Sequence, residues 1–508
     1  MKKIGTCATV FMVTAVMGTG LVTAQQAATP PAPAQPAPSP MGNVPDLFSS
    51  TCAGCHGNDL AGGRGPSLFA ENLLSETSDA TLLHTIREGI PDGGMPSFKG
   101  QLSDADIGQL IAYLRIRGAQ LKGRPSFLPD PNGQIVKSEK QTFKIDVVAA
   151  NLETPWGEVF LPDGRMLVTE RGAGDIRIID HGKLLPEPVK GTPQAWARQD
   201  GGYFDIAIHP DYKRNGWIYL SFTDVAPGVA VPPPDDPNAP RSSLPPAPPT
   251  LTRVVRGRIN ARNEWVDQQD IFHGSADLYT TSVIHYGSRF LFDGKRHLFW
   301  SLGDRGEKSN GQNLASPLGK IHRVNDDGSV PADNPFVHTQ GADPTVWSYG
   351  HRNPEGLTFD PRTGLLWESE HGPTGGDEVN VIERGHNYGW GAISMGLEPG
   401  ITEQHHAGME DPITYYTPAI GPSGMSFYTG SRYPGWKNSL FLSALAGQKL
   451  IRFEIKDRQI THQEIVYQGF GRTRDVITGP DGYLYILLQN SQALASSPGM
   501  VIRLLPTK

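Results

Sequence analysis

Residues 156–170 read WGEVFLPDGRMLVTE. Two short runs of alternating apolar and polar residues flank a Pro-Asp-Gly turn, the pattern of a half-buried β-hairpin. The same grammar recurs at 204–222 (FDIAIHPDYKRNGWIYLSF), 288–304 (SRFLFDGKRHLFWSLGD) and 355–372 (EGLTFDPRTGLLWESEHG), then at 423–445 (SGMSFYTGSRYPGWKNSLFLSAL) and 474–489 (RDVITGPDGYLYILLQ). Six self-similar hairpins separated by long insertions predict a six-bladed β-propeller, with one well-marked hairpin per four-stranded unit. A β-sandwich is the competing architecture, and sandwiches rarely repeat themselves in this way. The 59 glycines and 44 prolines suit many short strands joined by turns. The Pro-rich stretch 225–249 falls inside one repeat and reads as a surface insertion. Polar residues collect where the second strand of a hairpin ends, at Glu170-Arg171, Asp304-Arg305 and Glu370-His371. In a propeller these ends line one face of the central channel, so the clustering points to a polar ligand there.

Upstream the grammar changes. Cys52-Ala53-Gly54-Cys55-His56 has the C-x-x-C-H spacing of a c-type haem attachment site, with two thiols for thioether bonds and His56 as an axial iron ligand. A thioredoxin-like redox pair or half a zinc site are the alternatives. No cysteine follows Cys55 to complete a zinc site, and a helix-like run from Val44, rather than a buried strand, precedes the motif. Residues 79–89 place Leu82, Leu83 and Ile86 on one helical face, and Ser103 with Asp106 caps a second helix carrying Ile107, Leu110, Ile111 and Leu114. Between them lies Gly93-Gly94-Met95-Pro96. A methionine in such a loop is poor core material and a good second iron ligand, and His/Met ligation raises the haem potential. His84 is the competing ligand and reads as surface or packing. Residues 44–120 thus form a small all-α domain that resembles class I cytochromes c. Residues 121–140, polar with Pro125, Pro129 and Pro131, read as a linker, and 141–508 as the propeller, giving a mainly β chain overall.

The chain has 508 residues, is 19% charged and carries a net charge of −7, which offers no basic surface for nucleic acid. Lys2 and Lys3, an apolar stretch over 4–22 and the small residues Val22-Thr23-Ala24 make 1–24 an export signal. Covalent haem attachment and export agree on a periplasmic location, with a respiratory electron acceptor downstream. Residues 25–43 are a Pro/Ala-rich spacer, extended at about 3.1 Å per residue. If the apolar segment were retained as an anchor, this tract would hold the protein off a membrane; the sequence leaves cleavage and retention both open.

From Phe143 to Leu505 the chain is similar to the glucose/sorbosone dehydrogenase family, six-bladed propellers that bind pyrroloquinoline quinone (PQQ) and calcium. The resemblance is carried by SYGHRNPEG (348–356), EHGPTGGDE (370–378), NYGW (387–390), LGK (318–320) and RTRDV (472–476). It implies a small sugar substrate oxidised at C1 by hydride transfer to PQQ. His285 matches the general base, and a near-neutral imidazole suits that task. Arg352 matches a residue beside the quinone oxygens, and Asn353 lines the pocket. Arg472 and Arg474 match the arginine pair that grips the cofactor carboxylates, for which bidentate guanidinium is suited. Gln312 and Lys449 are weaker candidates for cofactor contact. Calcium would take the backbone carbonyls of Gly372 and Pro373. The chain departs from the glucose-oxidising members at Asp200, Ile284, Ala419 and Gln489 and lacks a clear counterpart to their cofactor-binding lysine, which moves it toward the aldose and sorbosone branch. The haem would then take the electrons from PQQ one at a time and pass them on. Two other classes compete: a nitrite-reductase-like cytochrome-propeller, which needs eight blades and a second haem, and a non-catalytic sugar-binding or electron-carrying propeller.

Overall fold

The computed structural model describes residues 44–57, 60, 65, 68, 74, 77–90, 94–121, 130–233, 244–446, 448–489 and 498–507. The stretches read as export signal and Pro/Ala spacer lie outside them. Among the described residues no helix is long and apolar enough to cross a membrane.

Each of the six hairpins opens one blade. Their first strands are Pro155–Phe160, Tyr203–Ile208, Phe290–Phe292, Pro354–Phe359, Pro422–Phe427 and Arg472–Thr478. Each pairs antiparallel with the next strand in sequence. First strands of neighbouring blades also pack on one another in a closed ring, with Arg472–Thr478 returning to Pro155–Phe160. Blades 1 to 5 are consecutive four-stranded meanders. Blade 6 is closed by the other end of the domain: Thr142–Glu153 pairs with Pro498–Pro506, in the register Phe143↔Pro506 to Glu153↔Pro498. Joining the two chain ends in one sheet leaves no open edge at the seam.

The strand Ile135–Lys137 adds a fifth strand to that sheet by pairing with 142–144. It falls within the segment assigned to the linker, so the propeller begins a few residues earlier than the composition suggests. A three-residue strand with alternating exposure has too little apolar pattern to stand out.

Core packing follows the alternation. Blade faces meet around fully buried Trp156, Trp300, Trp367 and Trp436. The central channel is charged instead. Arg289 bridges Asp205 at 3.2 Å and Asp475 at 2.6 Å and stacks over Trp156 at 4.4 Å. Its Nε donates to the Glu355 carbonyl. One guanidinium therefore ties blades 2, 3, 4 and 6 together.

The N-terminal domain packs short helices around Phe48, Leu82, Ile86, Phe98, Ile107, Leu110, Ile111 and Leu114. Helix Asp79–Glu88 is capped by Ser78, whose Oγ accepts from the Thr81 amide at 3.1 Å. Helix Asp104–Leu121 begins at the Ser103–Asp106 box: the Asp106 carboxylate accepts from the Ser103 amide and hydroxyl, while Ser103 Oγ accepts from the Asp106 amide.

Candidate functional site

Four of the six polar residues at the strand ends converge at one mouth of the channel, and the other two serve the frame. Glu170 accepts from the Glu153 amide and pairs with Arg177. Arg305 stacks on Tyr286 at 3.4 Å and donates to the Ile284 carbonyl. Asp304, Arg171, Glu370 and His371 build the site.

His285 stands in the left-handed region, φ 56°, in the loop before the first strand of blade 3. Its Nδ1 is 2.6 Å from Asp304 Oδ1, and its amide donates to Asp200 Oδ2 at 3.3 Å. Asp304 is itself locked: the Gly306 amide donates to Oδ1 at 2.7 Å and the Trp390 indole to Oδ2 at 2.7 Å. Burial works against charge on Asp304, yet the His285 ring, Arg352 and the Gly306 amide hold its carboxyl below the usual range. A carboxylate at Nδ1 fixes the tautomer with its proton there, leaving Nε2 as the basic nitrogen. Asp304 was legible only as a polar strand end, because no spacing rule ties it to His285.

Arg352 belongs to the same group. Its carbonyl accepts from the Asp304 amide at 2.8 Å, its amide donates to Glu370 Oε2 at 2.6 Å, and its Nη1 donates to the His371 carbonyl at 3.2 Å. Asn353 is buried; its Oδ1 accepts from the Gly287 amide at 3.0 Å, and its Nδ2 donates to Glu355 Oε1 at 3.1 Å. The side chain of Asn353 thus holds the His285 loop against blade 4.

Arg472 and Arg474 lie together with Arg171. The three guanidiniums act on one another: burial, Arg474 and Arg171 lower Arg472 to about 10, and burial with Arg474 lowers Arg171 to about 10. Arg474 pairs with Glu355 and donates to Ser423 Oγ at 3.1 Å. Among the described residues, Arg171 and Arg472 have no close ion pair, although the carboxylates of Asp200 and Glu355 act on Arg171 and that of Glu355 on Arg472. Three buried cations with one paired carboxylate make a site that a polycarboxylate anion would neutralise. Arg171, legible in the sequence only as a polar strand end, joins the arginine pair that the resemblance singled out.

The two weaker candidates separate. Gln312 donates through Nε2 to Asn387 Oδ1 and the Trp390 carbonyl, and its Oε1 accepts from Asn387 Nδ2 at 2.8 Å. Both ends of the amide hold the NYGW turn that carries Trp390, which gives Gln312 a place in the frame of the site. Lys449 is half-buried at the start of Lys449–Lys456, where burial lowers its pKa.

A cleft beside Arg352 is lined by Glu370, Gly372, Pro373, Glu378, Tyr388 and Trp390, among others. Asp377 shapes it: Oδ1 accepts from the Gly372 amide, and Oδ2 from the Ile420 and Gly421 amides at 2.6 and 2.7 Å. Two acidic side chains, Glu370 and Glu378, line the cleft, and oxygen donors of this kind suit a hard divalent cation.

In the N-terminal domain, Ala53–His56 follows a π-type turn, Phe48–Cys52. A Cβ at Gly65 would lie 2.9 Å from the His56 ring, so glycine suits this close approach. Met95 is fixed by a two-way bridge to Ile90 at the end of helix Asp79–Glu88. Cys52 and Met95 both border the apolar cluster. Burial, with the charge of Cys55, pushes the Cys52 thiol up to about 12. A disulfide-exchange motif needs the opposite shift. Cys52 and Met95 on one apolar cluster, with Cys55 and His56 on the short helix Ala53–His56 that follows Cys52, fit haem.

Residues 152–496 match the Glucose / Sorbosone dehydrogenase family. The chain belongs to that family. Residues 41–114 match "Cytochrome C oxidase, cbb3-type, subunit III", so this glucose/sorbosone dehydrogenase propeller is preceded by a haem-binding cytochrome c domain. The chain is 36% identical over 359 residues to the aldose sugar dehydrogenase YliI of Escherichia coli K12, covering 69% of this chain and 91% of that protein. It is 25% identical over 456 residues to quinoprotein glucose dehydrogenase B of Acinetobacter calcoaceticus, covering 74% and 91%. The apo crystal structure of the soluble E. coli aldose sugar dehydrogenase superposes with a TM-score of 0.62 at 33% identity, covering 72% of this chain and all of that one. The family and the dehydrogenase class are thereby established, and the eight-bladed alternative falls with the count of six blades.

Proposed function

We propose that this protein is an exported, periplasmic, PQQ-dependent dehydrogenase that oxidises an aldose or sorbosone-type sugar at C1 and delivers the electrons to its own c-type haem, and from there to a respiratory acceptor. The observation that carries the reading is the convergence, from separate blades, of an oriented base (His285–Asp304) with three buried arginines of which only Arg474 is ion-paired among the described residues. The quinoprotein relative supports the choice of cofactor. PQQ is a tricarboxylate, so Arg171, Arg472 and Arg474 would hold it. Gly372 and Pro373 would hold calcium, with Glu370 and Glu378 in the same cleft.

When bound, PQQ supplies an electrophilic carbonyl that accepts hydride from sugar C1. His285 takes the C1 hydroxyl proton at Nε2 as the C1–H bond breaks, so the sugar loses two electrons and two protons and becomes a lactone. Asp304 keeps Nδ1 protonated and stabilises the imidazolium that forms. Arg352 would stabilise negative charge developing on the cofactor oxygen. His56 and Met95 would ligate the haem iron, and the thioethers to Cys52 and Cys55 keep the haem on this chain, so the second redox step is intramolecular.

The test is dye-coupled oxidation of a panel of aldoses and of sorbosone by the purified holo-cytochrome, with and without PQQ and calcium. Activity should need both and should fall on chelation. No oxidation of any sugar in the loaded protein refutes the reading.

A further inference from the structure

The cytochrome c domain rests on the mouth of the channel, and it does so with its haem-binding loops. The Gly54 carbonyl, inside the C-x-x-C-H turn, accepts from Arg472 Nη1 at 2.9 Å. A Cβ on Gly54 would lie 3.3 Å from Ala446 Cβ. On the other loop, a Cβ on Gly94, the neighbour of Met95, would lie 3.7 Å from the Gln199 amide and 3.8 Å from Ile284. Arg472 opens blade 6 and Ala446 follows the second strand of blade 5. Gln199 and Ile284 precede the first strands of blades 2 and 3. In a ring of six, blades 5 and 6 stand opposite blades 2 and 3, so the small domain spans the mouth from rim to rim. Beneath it His285 is 2% exposed, Arg472 5% and Arg171 9%.

We propose that the cytochrome c domain is the lid of the sugar site: seated, it sets the haem-attachment turn on Arg472 for electron exit, and it must lift for sugar to reach His285. This rests on the dehydrogenase reading above. The electron count gives the lid its cycle. Each sugar releases two electrons and two protons, while one haem iron, passing from ferric to ferrous, takes one electron. The iron must hand the first electron to an external one-electron acceptor before it takes the second. Two seated transfers and one lifted substrate exchange therefore make a turnover. Arg472 has a place in both, holding a cofactor carboxylate and the Gly54 carbonyl together.

Ala446 touches the lid and takes no part in the site chemistry, so Ala446→Arg is the wedge that tests it, with Ala446→Leu as a smaller wedge should the first fail to fold. Hydrogen exchange of the 53–57 amides in the haem-loaded protein, without PQQ or sugar, should speed up at least tenfold in the variant. In the PQQ- and calcium-loaded protein, sugar-driven haem reduction in stopped flow should slow at least tenfold. Dye-coupled oxidation of a monosaccharide should stay within twofold of the parent. Unchanged exchange, or haem reduction as fast as in the parent, overturns the lid. Loss of dye-coupled activity in the parent itself refutes the dehydrogenase reading instead, and the exchange result still decides whether the domain is seated.

Discussion

Asp304→Asn isolates the part of the site that motif reading did not supply. Three donors meet the two oxygens of Asp304: His285 Nδ1 and the Gly306 amide at Oδ1, and the Trp390 indole at Oδ2. An amide of the same shape has one oxygen. With that oxygen at the Oδ1 position, the indole N–H faces an NH2 group and a buried hydrogen bond is lost, costing about 1–3 kcal/mol. With the oxygen turned to Trp390, His285 faces the NH2 group, accepts through Nδ1 and carries its proton on Nε2, where it cannot act as a base. The two orientations compete, and each strands one donor: the indole in the productive one, the Gly306 amide in the other. General-base catalysis contributes about 10²–10⁴-fold, so kcat should fall into that range below the parent. KM for sugar and affinity for PQQ should change little, because neither contact is made by Asp304. The assay is initial-rate dye reduction across sugar concentration, with PQQ titrated separately by calorimetry. A kcat within threefold of the parent in a folded, PQQ-loaded variant refutes the orienting role of Asp304.

Arg171→Leu should weaken PQQ binding about 10–100-fold, the loss of one charge-assisted contact of about 1.5–3 kcal/mol, and an unchanged Kd by calorimetry would remove Arg171 from the cradle. Arg289→Met leaves Asp205 and Asp475 facing each other in the channel and should cost about 3–5 kcal/mol in denaturant unfolding, whereas a neutral result would show that the bridge is dispensable. Glu158→Gln tests the channel by pH. Both Glu158 oxygens are buried without a partner, and burial with the charge of Asp475 holds the carboxyl well above its usual 4.5, Arg289 opposing. The folded chain therefore keeps a proton that the unfolded chain releases above about 4.5, so the parent loses stability as pH rises through that window. The Gln variant should match the parent near pH 4 and exceed it in melting temperature at pH 7–8, and a pH-independent difference would contradict the assignment.

Much of this molecule was written in local patterns. Each hairpin found by alternation became the inner pair of one blade, and the Ser103–Asp106 box starts its helix with the expected bonds. What stayed hidden depends on ring closure. Thr142–Glu153 joins a strand from the far end of the chain. His285 meets Asp304, and Arg171 meets Arg474, only because blades wrap around a channel; no sequence spacing encodes such a meeting. Gln312 adds a part the resemblance did not state, since its amide braces Asn387 and Trp390 in the fold. Gly54 and Gly94 are plain glycines in sequence and become domain contacts only in the fold.

The most direct measurement is anaerobic titration of the PQQ- and calcium-loaded protein with an aldose while the haem spectrum is followed, with His285→Ala alongside. The account predicts that sugar reduces the haem in the parent, that one sugar supplies two electrons when an external acceptor drains the iron, and that His285→Ala binds PQQ normally yet leaves the haem oxidised. Haem reduction by His285→Ala at the parent rate would contradict it.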